Sequence, residues 1–183
     1  MAAAKSNLRA ALLALAAFAL YATHDVVIKY LGALYSPFQI LFYSVLLGFP
    51  MVTIMLMGDR TDGNLRPKHP WWTALRTVMV VVTGTSAFFA FTLLPLAQTY
   101  AILFAMPLLI TLLAIPLLGE RVGPRRGVAV AVGLAGVLIV LRPGSGDLGL
   151  GHLAALIAAL SGAVAAVIIR KIGDAERSAV LLL

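Results

Sequence analysis

Cysteine is absent from the 183 residues, which excludes disulfides and thiolate-bound metals. Charge is also scarce. Only 11% of the residues are charged, against about 25% in an ordinary soluble domain, too few to solvate a globular surface. Acidic side chains are the rarer sign, seven against fourteen basic ones, for a formal net charge of +7. A basic excess raises the question of nucleic acid, but the placement of the charges described below explains it without any polyanion. No G-x-x-x-x-G-K-[ST] occurs, so the chain carries no phosphate loop of an ATP-driven motor. "GSGDLG" (Gly144 to Gly149) fits the dinucleotide pattern literally, yet it follows an apolar helix rather than a strand and reads as a loop. No cofactor is implied.

What the sequence has in abundance is oil: 62% of it is hydrophobic. A bilayer core about 30 Å thick needs roughly 20 apolar residues per helical crossing, and several such runs follow one another. Segments such as "GVAVAVGLAGVLIVL" are apolar on every side, unlike the alternating strands of a membrane barrel. The apolar runs also continue through the chain, unlike a signal peptide leading into a soluble domain. The expected fold class is therefore an all-α integral membrane bundle. Charges delimit crossings at about 10–30, 37–57, 76–94, 99–118, 127–141 and 152–169. The 43 uncharged residues between Arg76 and Glu120 are enough for two of these, joined by a hairpin at Pro95. After Arg177 the run "SAVLLL" opens a seventh crossing, expected to continue beyond Leu183.

On this alternating path Lys5, Arg9, Arg60, Arg66, Lys68, Arg76, Arg121, Arg125, Arg126, Arg170, Lys171 and Arg177 fall on one side, and only Lys29 and Arg142 on the other. Positive charge is retained in the cytoplasm, so the N-terminus is expected there, in a multi-pass protein of the cytoplasmic membrane. Trp71 and Trp72, with Tyr30, Tyr35 and Phe38, suit the two interfacial belts. The bilayer is the partner this composition demands.

An offset of 141 residues lays "VVIKYLG" (Val26 to Gly32) over "VIIRKIG" (Val167 to Gly173), so that Lys29 meets Arg170 and Gly32 meets Gly173. Five crossings separate the two segments, so they run in opposite directions, as in an inverted-topology repeat. In addition, "YAILFAMPLLITLLAIPLLGERVGPRRGVAVAVGLAGVLIVLRPG" (Tyr100 to Gly144) resembles the fourth and fifth helices of an EamA-type domain of the drug/metabolite transporter superfamily. The signature is a helix with an internal proline, Pro107, then "GER", a basic turn, a glycine-rich helix and "LRPG". The resemblance implies a first five-helix repeat over 1–142 and the start of a second over 143–183. It further implies ten helices in two inverted halves and metabolite transport across the cytoplasmic membrane. Where many members carry an arginine after the "SPF"-like turn, this chain has Phe42, Tyr43 and Ser44, which weakens any inference toward anionic substrates.

Tyr21, Asp25 and Lys29 are spaced i, i+4, i+8, with His24 beside them, and form one polar stripe on the first crossing. His24 lies about 21 Å along the helix from Ala10, roughly two-thirds of the way across the core. A charge facing lipid at that depth would cost at least about 2.5 kcal/mol, so the stripe is expected to face protein or water. Asp25 and Lys29, one turn apart, are expected to pair. Asp25 could exchange a proton coupled to transport, tuned by His24; the plainer reading is that Lys29 snorkels to the surface and Asp25 neutralises it. Gln39, Tyr43 and Ser44 on the second crossing, with Thr83, Thr85 and Ser86 on the third, either line a cavity or bond between helices. Pro50, Pro107 and Pro116 bend their helices, beside a pathway or simply as kinks. Ala129, Gly133, Ala158, Gly162 and Ala166 have the small-xxx-small spacing of close packing, with self-association into a homodimer as a second use.

A secondary transporter that moves a small metabolite by alternating access, driven by a gradient or by exchange, fits these features together. A membrane-embedded enzyme acting on a lipid-linked substrate would bring titratable groups together from several helices, and the second to sixth crossings supply almost none. A helper subunit packing through its small-residue faces is the third reading.

Overall fold

The computed structural model describes residues 2–58, 66–141, 148–173 and 175–176, and among these every element is a helix. Chain order gives α1 (Ala2–Leu31), α2 (Pro37–Gly58), α3 (Pro70–Leu93), α4 (Leu96–Leu103), α5 (Met106–Leu118), α6 (Pro124–Leu141) and α7 (Leu150–Ile172). Among the described residues six stretches are long and apolar enough to cross a membrane, with α4 and α5 together making one of them, Leu96–Leu118. Arg60, Arg142, Arg177, most of "GSGDLG" and the run from Ser178 lie outside the described residues, as do the side chains of Lys5 and Arg9.

Local chemistry sets the boundaries. Ser36 and Gln39 form a reciprocal cap at the start of α2: the Ser36 N–H donates to Gln39 Oε1 at 3.0 Å and the Gln39 N–H to Ser36 Oγ at 3.3 Å, with Pro37 in the first turn. The third crossing begins at Pro70, six residues before the position expected from charge, because Pro70 starts a helix well and Arg76 is tolerated within it. Pro95 is the N-cap of α4 and makes the hairpin. The fourth crossing is broken at Phe104 and Ala105, immediately before Pro107, whose missing N–H removes one rung of the ladder. Pro50 and Pro116, by contrast, sit inside continuous helices. Gly119, the glycine of "GER", ends α5 at φ 69°, a left-handed cap that any other side chain would strain.

α7 lies at the centre, packed on α3, α4 and α5, while α1 and α2 lean on α3 from the outside. Small residues make that placement possible. Gly162 and Gly151 of α7 are approached so closely by Met106 and Leu94 that an added Cβ would lie 2.5 and 2.7 Å from them; for Gly133 of α6 the neighbour is Leu108, at 2.6 Å. Ala155, Ala158 and Ala163 are fully buried. Of the small residues singled out by spacing, Gly133, Ala158 and Gly162 serve close packing within the chain, while Ala129 is exposed and Ala166 partly buried.

Candidate functional site

Near the end of α1 the polar stripe enters the gap between α1, α3 and α4. An apolar cluster of Ile28, Ile40 and Phe91, with Phe88 and Tyr100 against it, sets the distances there. Asp25 is 16% exposed. Its Oδ2 accepts a hydrogen bond of 2.6 Å from the Tyr100 hydroxyl of α4, and its Oδ1 lies 3.1 Å from His24 Nδ1. The Tyr100 ring stacks on Phe104 and meets Phe91 edge-on, which fixes the hydroxyl's direction, and His24 meets Phe88 edge-on. Two of the carboxylate's roughly four acceptor positions are therefore taken.

The expected Asp25–Lys29 pair does not form. Lys29 Nζ donates to the Leu94 carbonyl at 2.7 Å and the Thr92 carbonyl at 3.3 Å, both at the C-terminal end of α3. These carbonyls have lost their helical partners, and a cation is favoured at that end of the helix dipole. Gly32 lets α1 approach, since a Cβ there would lie 2.4 Å from the Thr92 methyl. Lys29 therefore neither snorkels freely nor neutralises Asp25. Among the described residues no lysine or arginine pairs with Asp25.

Tyr21 and His24 border an open cavity of about 370 Å³ with Ala17 and Leu20. Gln39, Tyr43 and Ser44 come together with Tyr35 and Leu31 around a second cavity of about 380 Å³. Gln39 serves two purposes there, because its Oε1 already caps α2. Thr83 bonds across to α7, its hydroxyl 2.8 Å from that of Ser161. That is an interhelical bond of a kind worth about 0.6 kcal/mol. Tyr100 was missed by the sequence reading. With Gln98 and Thr99 it is one of three polar residues of an otherwise oily helix, but nothing local ties it to a carboxylate 75 residues away.

A second polar set gathers at the opposite end of the bundle. Arg170 pairs with Glu120 of the "GER" turn. Lys171 Nζ donates to the Leu117 carbonyl at 3.3 Å and lies 4.3 Å from the centre of the Trp72 ring. Glu176, with only 1% of its side chain exposed, accepts from the His69 N–H at 2.6 Å and lies 3.3 Å from His69 Nδ1. Burial alone would raise the Glu176 carboxyl, but the backbone N–H groups of Lys68 and His69 and the His69 ring outweigh it and hold the group below the usual carboxylate value.

Six crossing-length apolar helices, with a half-buried carboxylate held between two of them, define a multi-pass helical membrane protein. Comparison narrows this class. The EamA-like transporter family matches residues 8–142, and the chain belongs to that family. It is 33% identical over 114 residues to a riboflavin transporter of Rhizobium johnstonii, covering 62% of this chain and 37% of that protein. It is 27% identical over 148 residues to an S-adenosylmethionine uptake transporter of Rickettsia prowazekii, and 29% over 154 residues to one of Rickettsia bellii, in each case covering 81% of this chain and 50% of the relative. The chain thus spans half or less of the length of these relatives. No solved structure matches it.

Proposed function

We propose that this chain forms the first repeat, residues 1–142, and the opening of the second repeat of a secondary transporter. The transporter moves a small metabolite across the cytoplasmic membrane by alternating access, with the N-terminus in the cytoplasm and a gradient or exchange as the driving force. Family membership and relatives named for riboflavin and S-adenosylmethionine support the metabolite class. The twelve-to-two distribution of basic residues supports the orientation. The observation that carries the reading is Asp25: a carboxylate inside a crossing, bonded to Tyr100 and His24 and, among the described residues, without a lysine or arginine partner because Lys29 caps α3. An intramembrane carboxylate with spare acceptor positions, bonded to a histidine that borders an open cavity, is suited to taking a proton or a solute's donor group. His24 and Tyr21 face the approach to it, and Gln39, Tyr43 and Ser44 line a neighbouring stretch of the route.

The test is flux of radiolabelled riboflavin and S-adenosylmethionine into proteoliposomes of the full-length protein across imposed pH gradients. The Asp25→Asn variant is expected to lose pH-dependent uptake, with a fall of tenfold or more, while Lys29→Met in the same assay alters stability more than the pH profile. Equal, pH-independent flux with and without Asp25 would remove the carboxylate from the mechanism. Chemical alteration of an added lipid substrate without any flux would replace the transporter with an enzyme.

A further inference from the structure

Polar contacts gather at and just beyond the C-terminal end of α7. Three residues reach four partners: Arg170 reaches Glu120 in the α5–α6 turn, Lys171 reaches Leu117 of α5 and Trp72 of α3, and Glu176 reaches His69 at the start of α3. At its other end the contacts of α7 with its neighbours among the described residues are apolar, with Gly151 against Leu93 and Leu94, and Ala155 in an apolar cluster with Ala90, Leu94 and Ile102. Charge pairs and hydrogen bonds can be exchanged for water when a helix end swings out. Close-packed small residues lose contact with nothing to replace it, and so act as a pivot. Ser161 and Thr83, bonded to each other at the middle of the α3–α7 seam, lie between the two ends.

We propose that Glu120, Arg170, Lys171 and Glu176, with Trp72 and His69, form a latch that closes one mouth of the bundle, and that it parts when α7 swings about its small-residue end to open that mouth. The latch rests on the transporter reading only in taking the two mouths to open alternately. Arg170 and Glu120 are partly exposed and contribute little alone, so the buried Glu176 carboxylate, held by two backbone N–H groups and a ring, is the strongest member.

Because these 183 residues contain no cysteine, one thiol reports the seam cleanly. Ser161→Cys is introduced into the full-length protein freed of any other cysteine, and a membrane-impermeant maleimide is applied to proteoliposomes from each face in turn. From the face bearing Glu120 the parent is expected to label slowly. Glu176→Ala is expected to label roughly tenfold faster from that face, the scale set by losing hydrogen bonds to a charged group. Glu120→Arg is expected to speed labelling by a smaller factor, and combining it with Arg170→Glu to restore the parent rate. The latch is overturned by unchanged rates in Glu176→Ala and Glu120→Arg, by a swap that restores nothing, or by labelling that rises equally from both faces, which marks general loosening. Labelling needs no solute, so a protein that moves neither probe metabolite yet shows this one-sided pattern separates the failure of the transporter reading from that of the latch.

Discussion

α1 and α7 close on similar heptads, "VVIKYLG" and "VIIRKIG", identical at three positions, but have different surroundings. α7 buries 44% of its crossing inside the bundle and α1 only 6%. Even so, their basic residues do the same kind of work. Lys29 caps the carbonyl end of α3, and Lys171, beside the position matching Lys29, caps that of α5. A cation at the end of a crossing thus replaces the donors that a terminated neighbour has lost. What differs is the carboxylate: Asp25 stands where α7 has the small, partly buried Ala166, so the titratable group belongs to the exposed helix alone. The basic residues of the two segments do structural work, and the aspartate has no counterpart in α7.

The comparison breaks first at the glycines. Gly32→Leu drives a side chain into Thr92 and is expected to destabilise the α1–α3 junction by about 1–3 kcal/mol or more, measured as thermal unfolding in detergent. Gly48→Leu, at a site with nothing within 4 Å, is expected to be nearly neutral. Equal losses would show that helix propensity, not packing, decides both. Next come the caps. Lys29→Met leaves the Leu94 and Thr92 carbonyls without their donor and is expected to cost about 1–3 kcal/mol in the same melt. The more exposed Lys171→Met gives up a weaker bond and its place over Trp72, with an expected loss of about 1 kcal/mol or less. The reverse order would contradict the difference in burial.

Acid has the smallest expected effect. The folded-state carboxyl of Glu176 lies below its ordinary value of 4.5, so its stabilisation is complete above that value and is lost as pH falls through the lowered one. The neighbouring groups at that end are His69 on the α3 side and Arg170 and Lys171 on α7. Melts of the parent are expected to fall more steeply below pH 4.5 than those of Glu176→Gln, with the two converging in strong acid. Parallel curves would mean that the carboxylate has no special hold on its anion.

Much of the fold was legible because the signals are local. Pro37 starts a helix and Pro95 turns the hairpin, whereas Pro70 starts a crossing that charge alone puts at Arg76; "SPFQ" contains the capping pair of α2, although its glutamine reads from sequence alone as a cavity residue. The one-turn spacing of Asp25 and Lys29 misled because spacing shows who can meet, not who offers the better partner. The unsatisfied end of α3 offered more to Lys29, and the Tyr100 hydroxyl offered more to Asp25. Neither competitor is within 60 residues in sequence.

Hydropathy along the chain, a one-dimensional property, was by itself enough to determine that this protein is a stack of membrane crossings, how many such runs these residues hold and where most of them turn. The tertiary structure alone decided that α7 is the buried helix, that "GER" lends its glutamate to Arg170, and that the aspartate of the polar stripe is separated from its lysine. Those outcomes depend on how each helix is rotated against the others. Small residues and terminated carbonyls set that rotation when the helices meet, and no single stretch of the chain contains it.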